Sequence, residues 1–113
     1  MQKIVINGGK ELSGTISISG AKNSAVALIP AAILCDEETT IYNVPEITDK
    51  HDLIEIIELL QGNIKEDNDT LFINSRNIKS VEIKEELSTK LRASYYFMGA
   101  LLGRKKHVEI YFP

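Results

Sequence analysis

Two polar residues, Lys22 and Asn23, stand at the start of an apolar segment that ends near Cys35 in SISGAKNSAVALIPAAILC. The free N–H groups and the dipole at a helix start attract anions. A lysine adds a full positive charge there, so the junction suits a phosphate or a carboxylate. It is not a P-loop, because only Gly20 stands close before the lysine and Asn23 follows it. The alternative is an exposed lysine beside an asparagine cap.

A second candidate is Arg92, in the apolar segment LRASYYFMGALLG. The planar guanidinium suits a phosphate or a carbonyl edge. The alternative is a surface arginine that pairs with Glu85 or Glu86. Tyr95 and Tyr96 follow the arginine, and each would either stack on a base or pack in the core.

The other reactive side chains predict no second site and no cofactor. The single cysteine, Cys35, excludes an internal disulfide and a cysteine-rich zinc site, and we expect it to pack as a small apolar group. His51 and His107 have no ligand partners at metal spacing. Residues 104–106 (RKK) are basic and indicate a solvated final helical turn.

Composition narrows the class of partner. The chain has 113 residues, the length of one domain, and a net charge of −3, so it has no basic field for nucleic acid or an anionic membrane. No apolar run is long enough to span a bilayer, and the N-terminus lacks the apolar stretch of a secretion signal. We therefore expect a cytoplasmic protein.

Hydrophobic periodicity and turn residues predict alternating strands and helices. A helix beginning at Thr48 or Asp49 as the N-cap and stopped by Gly62 is expected, and Pro30 is expected to bend the first helix. The predicted strands cover residues 4–6, 15–19, 39–44, 63–66, 70–73, 81–83 and 107–112, and the two apolar helices cover residues 23–35 and 87–102.

The order of these elements indicates a repeat. A shift that carries Pro45 onto Pro113 also superimposes the two apolar helices and the strands that follow them. The chain therefore reads as one complete β-α-β-α-β-β unit plus half of a second. Such units need neighbours to cover their helices, so we expect either a piece of a longer protein or self-association.

Three short segments, SGAKNSA after a strand, NVP closing the next strand and LRAS opening the second apolar helix, resemble the UDP-N-acetylglucosamine enolpyruvyl transferase family. The resemblance runs from Met1 to Pro113. It implies an α/β (α+β) fold, the inside-out α/β barrel of two domains built from repeated β-α-β-α-β-β units. Residues 1–21 would then pack with the second domain, and residues 22–113 would form part of the first.

The resemblance also implies an activity, the transfer of enolpyruvyl from phosphoenolpyruvate to the 3′-hydroxyl of UDP-N-acetylglucosamine in peptidoglycan synthesis. By position, Lys22 and Asn23 would bind phosphoenolpyruvate, and Arg92 and Tyr96 would bind the UDP-sugar. No metal or cofactor is implied.

The general-acid cysteine of the family would come just after Pro113, and Cys35 is not that residue. We therefore expect the chain alone to be inactive and to need the rest of the enzyme. Two alternatives are the related 5-enolpyruvylshikimate-3-phosphate synthase and a non-catalytic α/β module that binds a partner protein.

Overall fold

The computed structural model describes residues 1–90 and 92–111. Two 3₁₀ turns, Ala32–Leu34 and Arg92–Ser94, accompany the regular elements. The helices are α1 (Lys22–Ala31), α2 (Thr48–Leu59), α3 (Glu85–Lys90) and α4 (Tyr95–Lys105), and the strands are β1 (Glu38–Ile41), β2 (Asn63–Asp67) and β3 (Thr70–Asn74).

The three strands form an antiparallel sheet in the order β1-β3-β2. The predicted hairpin is confirmed, with Asp67 opposite Thr70 across a tight turn. Asn68 occupies the left-handed region at φ 52°, which asparagine tolerates well. Leu71 and Ile73 of the central strand are buried, so one face of the sheet packs on the core.

Helix α2 forms as predicted, but the predicted caps differ. The N-cap is Ile47, with no side-chain hydrogen bond, so neither Thr48 nor Asp49 caps the helix. At the other end Gln61 turns left-handed at φ 68°, and the N–H of Gly62 donates to the Ile57 carbonyl at 2.9 Å. This is a Schellman ending, in which the glycine follows the left-handed residue.

Helix α1 corresponds to the predicted segment 23–35. It continues through Pro30, which is buried, and tightens into the 3₁₀ turn only at Ala32. Proline has no N–H to donate to the carbonyl four residues back, that of Val26, and the helix changes to the 3₁₀ turn two residues later.

The two strands predicted at residues 4–6 and 15–19 do not form, so the first repeat unit lacks its leading strand. Their apolar side chains face solvent; Ile6 and Ile16, for example, are 84% and 85% exposed. An extended segment becomes a strand only when another strand satisfies its backbone, and within the described residues these segments have no such partner.

The predicted helix 87–102 is divided into α3, a 3₁₀ turn and α4. The hydroxyl of Thr89 bonds the Glu85 carbonyl at 2.6 Å, and the hydroxyl of Ser94 bonds the Ser88 carbonyl at 2.9 Å. Side chains that bond nearby carbonyls compete with regular helix, which accounts for the division. Arg92 therefore lies in a 3₁₀ turn and not in the first turn of an α-helix equivalent to α1.

The strands predicted at 81–83 and 107–112 reduce to one parallel bridge between Ile83 and Ile110. The Ile83 N–H donates to the Glu109 carbonyl at 2.9 Å. Two parallel segments joined through helices form a β-α-β crossover, as the repeat predicts. Phe112 and Pro113 lie outside the described residues.

Arg104 links the end of α4 to the rest of the fold, contrary to the prediction of a solvated turn. Its guanidinium donates to the carbonyls of Ile33 and Ser75 at 3.0 and 3.2 Å, and also to that of Cys35. Cys35 itself is exposed, so its predicted packing as an apolar group is wrong. The core lies between the helices and the sheet and includes Ile29, Ile33, Leu53, Ile56, Ile57, Leu71, Ile73, Phe97 and Leu101.

Candidate functional site

Lys22 is the first residue of α1, where the sequence predicts an anion-binding group. The N-cap Ala21 is extended and offers no side-chain cap, so no side chain occupies the free N–H groups of the first turn. Asn23 is the second helical residue and is exposed, so it does not cap the helix. The side chain of Lys22 is 57% exposed and can therefore reach a ligand in solvent.

Lys22 forms an ion pair with Asp49, a partner that could not be identified from the sequence. Its Nζ lies 2.9 Å from Oδ2 of Asp49, in the first turn of α2. This ion pair joins the start of α1 to the start of α2. The sequence shows only that Asp49 is an acidic residue near a predicted helix start. Acidic residues are common there because they interact favourably with the helix dipole, so this position does not indicate a partner.

The two motifs SGAKN and NVP lie side by side. A Cβ placed on Gly20 would stand only 1.8 Å from the Asn43 carbonyl oxygen, so only glycine fits where the two segments meet. Both segments line a cavity of about 190 Å³, together with Ser24 and Leu28 of α1. Val44 fixes the second segment, because its N–H donates to the Asp69 carbonyl at 2.7 Å.

Lys50, next to Asp49, is 1% exposed and bonds two carboxylates. Its Nζ lies 2.5 Å from Glu46 Oε2 and also bonds Glu66 of β2. Burial opposes the charged form of Lys50, but the hydrogen bonds that its ammonium donates to both glutamates act the other way and raise its pKa above the ordinary value. The cluster attaches the start of α2 to the hairpin.

Glu46 also accepts a bond from His51 at 2.7 Å. Hydrogen bonds from Lys50 and then His51 lower the pKa of Glu46 below its ordinary value. His107 pairs with Glu109 at 3.0 Å. Among residues 1–90 and 92–111, no group of three or more histidine, cysteine or acidic side chains could hold a metal ion.

Arg92 and Tyr96 are exposed, the tyrosine by 54%. Tyr95 is also exposed, at 37%, so the interpretation of these tyrosines as core residues is wrong. In the described part of the chain, no ion pair joins Arg92 to Glu85 or Glu86. The structure thus leaves Arg92 and Tyr96 accessible to a ligand.

None of the helices formed by the described residues is long and apolar enough to cross a membrane.

Comparison with known proteins defines the class. The sequence model of the EPSP synthase (3-phosphoshikimate 1-carboxyvinyltransferase) family matches residues 6–113. The match covers nearly the whole chain, including the motifs around Lys22, Asn43 and Arg92. The chain belongs to this family of carboxyvinyl (enolpyruvyl) transferases.

Within the family, the curated relatives include UDP-N-acetylglucosamine 1-carboxyvinyltransferase 2 of Streptococcus thermophilus, which is 54% identical over 104 residues. That alignment covers 92% of this chain and 25% of the relative. The protein of the same name from Lactiplantibacillus plantarum is 50% identical over 113 residues, which is 100% of this chain and 26% of the relative. The chain therefore spans about a quarter of the length of these relatives, and the matched quarter is N-terminal.

A solved structure agrees with the fold. The crystal structure of the enolpyruvyl transferase NikO from Streptomyces tendae superimposes with a TM-score of 0.71 at 28% sequence identity. The match covers 84% of this chain and 22% of that protein. The predicted α/β class with repeated enolpyruvyl transferase units is confirmed at this level.

Proposed function

We propose that this chain is the N-terminal part of an enzyme that transfers enolpyruvyl from phosphoenolpyruvate to the 3′-hydroxyl of UDP-N-acetylglucosamine. The observation that carries the proposal is the identity of about half of the residues, over nearly the whole chain, to transferases named for that sugar nucleotide. The reaction would be the first committed step of peptidoglycan synthesis. It would serve cell-wall formation, cell shape and division, and would take place in the cytoplasm, where both substrates occur.

Lys22 and Asn23 are proposed to bind phosphoenolpyruvate. The ammonium of Lys22 is exposed at the first residue of α1, and the helix dipole adds positive potential at the same end. Enolpyruvyl transfer moves negative charge and releases phosphate, so a fixed cation at this position would stabilise the transition state. The exposed amide of Asn23 would add a neutral donor beside that cation.

Arg92 and Tyr96 are proposed to bind the UDP-sugar. Arginine binds phosphate through a planar pair of donors, and tyrosine offers a ring face for the uracil. Both side chains are exposed, which supports this role. Arg92 lies in the 3₁₀ turn and Tyr96 in the first turn of α4, four residues further on. The proposal requires that Arg92 and Lys22 open onto one shared cleft.

The chain alone is proposed to lack transferase activity, because it spans about a quarter of its relatives. The general acid of the family would come after Pro113, and Cys35 does not replace it. Mixing the chain with both substrates should release no phosphate above the rate of a Lys22→Ala variant. Phosphate release at the rate of an intact enzyme would refute this statement.

Residues 1–21 are proposed to pack with the second domain of the complete enzyme, and residues 22–113 to form part of the first. In support, the consecutive apolar side chains of residues 4–6 are exposed, as are those of Ile16 and Ile18, which alternate with polar residues. Such a segment forms a strand once an adjacent strand is supplied. The remainder of the enzyme, or a second copy of the chain, would be that partner.

Saturation-transfer NMR with UDP-N-acetylglucosamine tests the substrate directly. We expect a signal from the chain that Arg92→Ala abolishes and that Lys105→Ala, an exposed cation of α4, leaves unchanged. Shikimate 3-phosphate is the competing ligand, since the family model is described by that substrate. Binding of shikimate 3-phosphate alone would favour the synthase, and no binding together with stable self-association would favour a non-catalytic module.

A further inference from the structure

The ion pair between Lys22 and Asp49 has a consequence for ligand binding. In the structure, the cation proposed to take the phosphorylated substrate already has a carboxylate at 2.9 Å. An ammonium that is shared with a carboxylate has fewer donors and less net charge to offer an incoming anion. A ligand must therefore compete with Asp49.

Asp49 is held in place more firmly than Lys22. Its side chain is 23% exposed, whereas that of Lys22 is 57% exposed. The neighbouring Lys50 is buried and bonds Glu46 and Glu66, which attaches this turn of α2 to β2. The pair would therefore open by movement of the lysine side chain, with the carboxylate remaining where it is.

Opening the pair does not leave Asp49 isolated. It lies in the first turn of α2, whose N-cap Ile47 supplies no side-chain acceptor. The free N–H groups and the helix dipole stabilise a carboxylate there. After Lys22 is released, these groups continue to stabilise the Asp49 carboxylate, so a phosphoryl group has only to replace a partly exposed ion pair.

We propose that Asp49 is an intramolecular competitor for Lys22, a latch that pairs the lysine in the free protein and that a phosphorylated ligand opens. The proposal rests on the proposed function of Lys22 as the anion-binding cation. Opening the latch changes ion pairs only and makes or breaks no covalent bond. The Lys22 ammonium exchanges the Asp49 carboxylate for a phosphoryl group, and Asp49 loses its lysine partner.

The test is titration of the chain with phosphoenolpyruvate, followed through the ¹⁵N signal of the Lys22 ammonium and the ¹³C signal of the Asp49 carboxylate. In Asp49→Asn we expect binding about two- to fivefold tighter than in the unaltered chain, the range set by an exposed ion pair. Asp52→Asn, on the same helix, should leave the affinity unchanged, and Lys22→Ala should abolish binding at this site.

A second readout shows whether the latch opens. In the unaltered chain the Asp49 carboxylate signal should move on saturation, because the residue loses its partner, and it should not move in Lys22→Ala. Equal or weaker binding in Asp49→Asn, or binding that leaves the Asp49 signal unchanged, overturns the latch while the function of Lys22 stands. Absence of phosphoenolpyruvate binding in both the unaltered chain and Asp49→Asn refutes the site itself and the latch with it.

Discussion

Replacement of the half-buried Arg104 by alanine should lower the stability of the chain more than replacement of any exposed residue of α4. The guanidinium of Arg104 bonds three backbone carbonyls and one hydroxyl, those of Ile33, Cys35 and Ser75. It thereby fastens the end of α4 to the 3₁₀ turn after α1 and to the end of β3. In Arg104→Ala all of these carbonyl and hydroxyl oxygens lose the same charged donor.

The magnitude follows from the number and burial of these bonds. A hydrogen bond from a charged donor contributes about 1.5–3 kcal/mol, and the contributions of one side chain are not additive. The bonds to Ile33 and Ser75 are partly buried, whereas the one to Cys35 is exposed and water can replace it. We therefore expect a loss of about 2–4 kcal/mol in the free energy of unfolding.

Urea denaturation of the full chain measures this loss as a lower midpoint at constant slope. Lys105→Ala is the matched control, since Lys105 is exposed and adjacent, and it should change stability by less than about 0.5 kcal/mol. Arg104→Lys keeps the charge without the planar fork and should recover only part of the loss. If Arg104→Ala unfolds at the midpoint of the control, the proposed role of Arg104 as a fastener between elements is wrong.

Two further predictions concern α2 and the loop before it. Gly62→Ala should destabilise the chain by about 1–3 kcal/mol, because the new Cβ would lie 2.5 Å from Ile57 Cγ2. The control is Gly99→Ala, which has open space around it and should be neutral or stabilising in the same thermal melts. Equal melting temperatures of the two variants would contradict the close contact at Gly62. The pKa of Glu46 is lowered from 4.5, so its contribution to stability is present above pH 4.5 and is lost as the pH falls through the folded value. Glu46→Gln should therefore reduce the loss of unfolding free energy at acid pH, measured by urea denaturation across the pH range, whereas the control Glu37→Gln should not. An unchanged acid limb in Glu46→Gln would contradict the role of the Glu46 interactions.

The elements that depend on neighbouring residues in the sequence could be predicted from hydrophobic spacing and turn residues alone. The hairpin follows from alternation around a polar turn, and α2 follows from its apolar spacing and from the glycine at its end. The position of Lys22 at a helix start was predicted in the same way and is confirmed, because Lys22 is the first residue of α1. Gly20 precedes the lysine in the sequence, and the structure shows why a glycine is needed there, since the Asn43 carbonyl lies against it.

Contacts between distant segments could not be predicted. A strand needs a partner that residues 1–21 do not have within the described structure, and α3 and α4 are separated by hydroxyl groups whose choice of carbonyl depends on packing. Arg104, Lys50 and Asp49 each pair with residues brought near by the fold. A charged side chain in the sequence does not reveal which partner it will meet, so these three roles were missed.

The central claim is that Lys22, proposed to bind phosphoenolpyruvate, and Arg92, proposed to bind the UDP-sugar, open onto one shared cleft. The most direct test is an amide ¹H–¹⁵N titration of the chain with UDP-N-acetylglucosamine in the presence of phosphoenolpyruvate. We expect the signals of residues 22–24 and of residues 92–96 to move together, with one shared saturation curve. Movement of only one group of signals, or of two groups with separate affinities, would show that Lys22 and Arg92 do not share a cleft.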